Sequence, residues 1–295
     1  MNPSPTQPKR LFVLSSERSG STLLTRMLGR HPAVMAPSEL WLLRYPDFNT
    51  WRREKPQAIH SLIEIAPRLG LPQETGALEK LYAESGTLPI YQNLLERAPD
   101  GSVIVDKTPA YANETAVLEK SRALDPCYIR LLRHPLGVID SESRLVQKRA
   151  VEAGRNSPAH RLKLRLQRFM NRGFTRQERR REDKWLLQNR NIGAFLESVP
   201  VERRVTMVFE DLLLDPENQL AAVCDMLGLA FDPAMLDPFA ETADIKPGLG
   251  NPNFHTRGRI ETAPVDSWRA RYSPRQLQPA TLEYMRRTGA ARWKV

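Results

Sequence analysis

Residues 18–23, Arg-Ser-Gly-Ser-Thr-Leu, have the side chains needed to hold an oxyanion. Arg18 carries a planar, permanently charged fork. Ser19, Ser21 and Thr22 add hydroxyl donors, and Gly20 lets the backbone approach a ligand closely. The segment follows an apolar run, Leu11 to Leu14, and precedes a helix-like pattern that places Leu23, Leu24, Met27 and Leu28 on one face. Backbone N–H groups of the turn and the positive end of the helix therefore point at one spot, where a phosphate or a sulfate is stabilised. A loop for ATP or GTP would read GxxxxGK[ST]. That Lys-Ser/Thr pair is absent, so a nucleoside triphosphate with magnesium fits poorly. The plainer alternative is a hydroxyl-rich turn with no ligand.

A second anion grip is suggested by "YIRLLRHPLGVIDSESR". Arg133 stands where a strand exits, and Ser141 follows eight residues later on a helix that Pro135 opens. Two turns of helix bring that hydroxyl back toward the strand end. Arg133 and Ser141 can thus hold a phosphate separate from the first. The competing reading is an arginine solvated beside a turn.

These residues need a sheet to position them. Four short apolar runs read as strands, Leu11–Leu14, Val103–Val105, Tyr128–Leu132 and Val205–Phe209. Helical patterns follow from about Thr22, Asn113, Leu136 and Pro216, and strands alternating with helices imply a parallel sheet covered on both faces. One domain over residues 1–295 is expected, with a helical insert at about 40–99. Trp41, Tyr45, Phe48 and Trp51 near the start of that insert would form either an acceptor-pocket wall or ordinary core.

The chain has 295 residues, 41% hydrophobic and 26% charged, the balance of a globular protein. No apolar run is long enough to span a bilayer, and "MNPSPTQPKR" lacks the apolar core of a signal peptide. Cys127 and Cys224 lie in apolar runs without metal-ligand spacing and are expected as buried thiols, which favours a reducing, cytoplasmic setting. Net charge is +10, and Arg144–Lys184 alone holds fourteen Lys or Arg against four acids. That helical insert is poor in aromatic residues, which disfavours nucleic acid. It reads as a solvated face or as a landing surface for an acidic partner.

Taken in register, the two anion motifs resemble those of sulfotransferases that use 3′-phosphoadenosine-5′-phosphosulfate (PAPS). "ERSGSTLL" is similar to that family's 5′-phosphosulfate loop, and Arg133 with Ser141 matches its R-x-P-x(5)-S motif for the 3′-phosphate. "HPAVMAPSELWLL", "VDKTPAY", "FEDLLLDPE" and "GNPNFHTRGRIE" look like the branch containing polyketide-synthase sulfotransferase domains and the tyrosylprotein and heparan sulfate enzymes. The cytosolic small-molecule enzymes carry Lys in the loop and a His after the second strand. Arg18 and "DKTP" stand there instead, so that His base does not carry over.

The resemblance implies a P-loop-like three-layer α/β sandwich with a central parallel sheet and helical inserts. It implies sulfuryl transfer from PAPS to an acceptor hydroxyl, leaving 3′-phosphoadenosine-5′-phosphate (PAP), with no metal. Arg18, Ser19, Gly20, Ser21, Thr22 and Leu23 would hold the 5′ end, and Arg133 and Ser141 the 3′-phosphate. Glu39 takes the position of the catalytic base, with Leu40 and Trp41 partly desolvating it. Lys107 would join Arg18 at the transferring group. Trp41, Thr108 and Tyr111 are candidates for the acceptor pocket. His255 is the competing base, and Arg257 and Arg259 beside it are candidate nucleotide contacts. The acceptor is expected to be a natural-product alcohol or phenol, or a β-hydroxyacyl chain on an acyl carrier protein, whose acidity would suit the basic insert. The alternatives are a P-loop kinase and a noncatalytic polyanion binder.

Overall fold

The first strand, β1 (Lys9–Ser15), sends Phe12 and Leu14 into one apolar cluster and Leu11 and Val13 into another. A strand buried on both faces reads as a continuous apolar run, which is how β1 stands out in the sequence. The structure is a computed structural model that describes residues 9–152, 174–240, 260–288 and 293. Four more strands join β1: β2 (Val34–Met35), β3 (Val103–Asp106), β4 (Cys127–Leu132) and β5 (Arg204–Val208). They form one sheet in the order β2-β3-β1-β4-β5, with every pair parallel.

Helices cover both faces. On one side α1 (Ser21–Gly29), α9 (Phe209–Leu214) and α10 (Pro216–Leu227) pack on Leu11, Val13, Val105 and Ile129. On the other side lies the insert: α2 (Phe48–Glu54), α3 (Ile59–Ile65), α4 (Thr75–Tyr82) and α5 (Thr87–Glu96). The short α6 (Thr115–Lys120) and the end of α8 (Arg176–Glu197) complete that layer. A third cluster joins α7 (Pro135–Glu152) to α8, to Trp268 and Tyr272, and to Met285 of α11 (Pro279–Thr288). The three-layer α/β arrangement is the expected one.

Several boundaries differ from expectation. β2 is two residues long, too short to show periodicity. Phe209 opens α9 rather than closing β5, and α6 starts at Thr115 after a tight turn over Pro109–Asn113. Cys224 is buried, but Cys127 at the start of β4 is only half-buried; both thiols are free. Of the basic insert, α7 carries residues 144–152 and α8 carries 176–184, while 153–173 lie outside the described residues. Among the described residues no helix is long and apolar enough to cross a membrane.

Candidate active site

In a parallel sheet all strands end on the same side, and the loops leaving those ends meet above it. Here the loops after β1, β2, β3 and β4 bring Arg18, Glu39, Lys107 and Arg133 to that edge. The loop after β1 is tightly built. Ser16 and Ser19 share a hydroxyl hydrogen bond of 2.6 Å, and both are buried. Ser19 is thus turned inward, while Arg18, Gly20, Ser21, Thr22 and Leu23 line a cleft of about 630 Å³. Gly20 precedes α1 at φ 91°, and no side chain caps the helix. Arg18, at φ 65°, is itself in the left-handed region, a conformation costing a non-glycine residue about 1–3 kcal/mol and kept only where its surroundings hold it.

Gly20 is doubly constrained. A Cβ there would fall 2.1 Å from Cδ2 of Phe209, on a backbone at φ +91°. Gly20→Ala is expected to cost about 1–3 kcal/mol by overpacking and to lower the melting temperature by several degrees. Thermal unfolding followed by circular dichroism checks this, and an unchanged midpoint would refute it.

Arg133 leaves β4 nearly buried, 7% exposed. Its Nη1 donates to the Arg18 carbonyl at 2.8 Å and its Nη2 to the Pro264 carbonyl at 3.3 Å. Its guanidinium lies 4.4 Å from the Phe209 ring centroid. Burial pushes its pKa down to about 10, against Glu210, which raises it, so the group stays charged at neutral pH. Its Nε is buried without a partner among the described residues. Gly137 on the first turn of α7 makes room: a Cβ there would sit 3.0 Å from that Nε. Ser141 accepts from Arg18 Nε at 3.4 Å, which links the two anion motifs directly. Burial and the nearby arginines Arg269 and Arg133 push His134 down to about 3. Its ring is neutral and stacks on Trp268 at 4.3 Å.

Glu39 and Lys107 form an ion pair of 3.1 Å, with Lys107 only 2% and Glu39 16% exposed. The other Glu39 oxygen accepts from Trp41 Nε1 at 3.0 Å. Glu39 and Trp41 line the same cleft as the loop after β1, and so do Pro109 and Ala110 in the turn after β3. Behind them Asp106 is buried and accepts from three hydroxyls: Tyr91, Tyr111 at 3.0 Å and Thr108 at 2.9 Å. Burial pushes its carboxyl up to about 6, a rise that these hydroxyls oppose. Tyr111 also accepts from the Leu43 backbone at 3.2 Å and is 1% exposed. Thr108 and Tyr111 therefore stand behind the cleft wall, whereas Trp41 stands on it.

The structure adds residues that the sequence leaves without a role. Phe209 packs against Gly20 and under Arg133. From α8, Trp185 donates to the Arg133 carbonyl at 3.1 Å, and Gln188 accepts from Glu17 N–H at 3.4 Å. Arg144 and Lys148 of α7 line the cleft mouth. His255, Arg257 and Arg259 lie outside the described residues. Among the described residues no group of three or more His, Cys, Asp or Glu side chains could hold a metal ion.

Known proteins share this fold. The chain resembles the sulfotransferase domain of the Synechococcus PCC 7002 olefin synthase at 29% identity and a TM-score of 0.78, covering 98% of each chain. It resembles the sulfotransferase domain of the curacin biosynthetic pathway at 29% identity and a TM-score of 0.75, over 96% of this chain and 98% of that one. Nodulation protein NoeE of Sinorhizobium fredii is 33% identical over 138 residues, 45% of this chain and 31% of NoeE, so the match spans about a third of that curated relative. The family model described as "Sulfotransferase family" matches residues 8–233, which include Arg18, Glu39, Lys107, Arg133 and Ser141, and the chain belongs to the sulfotransferase family.

Proposed function

We propose that this sulfotransferase moves the sulfuryl group of PAPS onto an acceptor hydroxyl, with Glu39 as the base. The observation that carries the reading is a single cleft of about 630 Å³ that holds the loop after β1, the Arg133–Ser141 pair and Glu39 together. The donor set fits PAPS. The N-terminus of α1 has neither a side-chain cap nor an acid in its first turn, as suits an anion. Arg133 keeps a buried Nε that has no partner among the described residues. The cleft volume lies within the usual range of small-molecule sites.

PAPS supplies an activated sulfuryl group, and PAP is the product that remains. Ser21, Thr22 and the first N–H groups of α1 hold the 5′ end. Arg133 and Ser141 hold the 3′-phosphate. Glu39 accepts the acceptor's hydroxyl proton on a carboxylate oriented by Lys107 and Trp41. Lys107 and Arg18 offset the negative charge that builds on the sulfuryl oxygens and the departing phosphate. Two free thiols fit a reducing, cytoplasmic setting. For the acceptor we favour a β-hydroxyacyl chain carried on an acyl carrier protein. The support is the likeness to domains from an olefin synthase and from the curacin pathway, together with Arg144 and Lys148 at the cleft mouth.

Calorimetry tests the donor. PAP is expected to bind with micromolar affinity that is lost when the 3′-phosphate is removed. A preference for ATP with magnesium would overturn the reading in favour of a kinase. A screen of 3-hydroxyacyl groups, on carrier protein and as N-acetylcysteamine thioesters, against free alcohols and phenols tests the acceptor.

A further inference from the structure

We infer that Asp106 and Thr108 form a positioning relay that aims Glu39 through Trp41, an inference that rests on Glu39 being the base. A hydroxyl has one proton to give. Thr108 donates its proton to Asp106 Oδ1 at 2.9 Å, because a carboxylate can only accept. The Thr108 oxygen is thereby left as an acceptor, and at 3.2 Å it receives the backbone N–H of Trp41.

Trp41 is the residue in need of holding. It sits at φ 60°, left-handed and not glycine, immediately before Leu42–Arg44. Such a conformation persists only where contacts over-determine it. Here those contacts are the hydrogen bond to Thr108, the Lys55 ammonium 3.8 Å from the ring centroid, and the indole N–H bonded to Glu39. Relaxation of Trp41 to an ordinary backbone basin would swing the indole off the carboxylate. Glu39 would keep Lys107 on one oxygen and lose the donor that fixes the other.

Asp106 is anchored for the task. Its second oxygen accepts from Tyr91 of α5 and Tyr111 of the turn after β3, and the whole group is 3% exposed. A carboxylate that served only to satisfy those two buried phenols would need no link to a strained residue. The chain Asp106–Thr108–Trp41–Glu39 instead ends on the proposed base. Thr108, expected to touch the acceptor, thus becomes a positioning residue, and so does the buried Asp106.

The test uses the full chain and two readouts. The first is the indole N–H resonance of Trp41 in the ligand-free protein, assigned by its loss in Trp41→Phe. Thr108→Val should move it upfield in the same sense as Glu39→Gln, and Thr108→Ser should restore it; an unmoved resonance in Thr108→Val overturns the relay. The second is turnover with PAPS and a 3-hydroxyacyl N-acetylcysteamine thioester. Thr108→Val should lower kcat about tenfold, a part of the roughly hundredfold that a misplacement of about 1 Å can cost, with PAP affinity held within about twofold of the parent value. In a Glu39→Gln background the same change should add less than about twofold, since both act through one group. A tenfold loss that persists there overturns the relay and leaves the base assignment standing. Normal turnover in Glu39→Gln alone would overturn the base assignment, and the resonance would still decide the relay. Should Thr108→Val fail to fold, Thr108→Ala, which removes the same hydroxyl between Asp106 and the Trp41 N–H, takes its place in the same kinetic cycle with the same expected and overturning results.

Discussion

Glu39→Gln is expected to bind PAP as the parent does and to lose turnover by a factor of about 100 or more, the scale of a lost general base. The geometry explains why binding and turnover should separate. Glu39 touches Lys107 and Trp41, and no hydrogen bond joins it to Ser21, Thr22, Arg133 or Ser141, which are the residues assigned to the nucleotide. Both of its partners are donors, so the amide satisfies one of them and presents N–H₂ to the other. Lys107, almost fully buried, also loses its counter-charge. The variant should therefore melt below the parent as well, and Glu39→Asp separates the two effects. Aspartate keeps the charge near Lys107 but shortens the reach, so stability should largely return while turnover stays low. The measurements are PAP calorimetry, the melting midpoint and steady-state rates with the 3-hydroxyacyl thioester. Near-normal turnover in Glu39→Gln would move the proton-accepting role to His255.

The parts of this site that were legible in the sequence are those encoded locally. The loop after β1 shows itself because an apolar run, a cluster of hydroxyls around Gly20 and an amphipathic helix follow one another without interruption. Arg133 and Ser141 show themselves because a strand end and the second turn of a Pro-initiated helix fix their relation. The link between the motifs, from Arg18 Nε to Ser141, spans 123 positions and is a product of β1 and β4 lying side by side. Phe209 opens the segment "FEDLLLDPE", yet by type it looks like the last apolar residue of a strand, and only the pairing of β4 with β5 brings it to Gly20 and Arg133. The same holds for Trp185 and Gln188, which reach the two loops from a helix whose sequence is dominated by charge. Tyr111 shows the opposite failure. "DKTPAY" places it close to the reaction centre in sequence, yet the turn at Pro109–Asn113 rotates the phenol inward to Asp106. Sequence proximity located the wall without telling which side of it a side chain faces.

Arg133→Ala should weaken PAP binding by about 2 kcal/mol or more, the scale of a lost charge-assisted contact, or roughly thirtyfold in affinity. Arg133 has two roles that this change would mix. Its guanidinium anchors the left-handed Arg18 through the Arg18 carbonyl and rests on Phe209. It also lines the cleft, and Nη1 and Nη2 each keep a second N–H beyond their bonds to the Arg18 and Pro264 carbonyls for an anion. Truncation also strips a counter-charge from Glu210, a buried carboxylate whose pKa burial raises and Arg133 lowers. A ligand cycle separates these contributions. If Arg133 reads the 3′-phosphate, removing that phosphate from the ligand and removing the guanidinium from the protein are not additive. Adenosine 5′-phosphate should then bind the parent and Arg133→Ala within about threefold of one another, while PAP discriminates between them by the full thirtyfold. Equal losses for both ligands would instead assign Arg133 to holding the loop after β1, with the 3′-phosphate read elsewhere. Arg133→Lys sharpens the distinction, because a point charge keeps the long-range attraction for a phosphate but cannot bridge the Arg18 and Pro264 carbonyls with one planar group. An affinity for PAP intermediate between the parent and Arg133→Ala is the result expected of an arginine that both builds the cleft and reads its ligand.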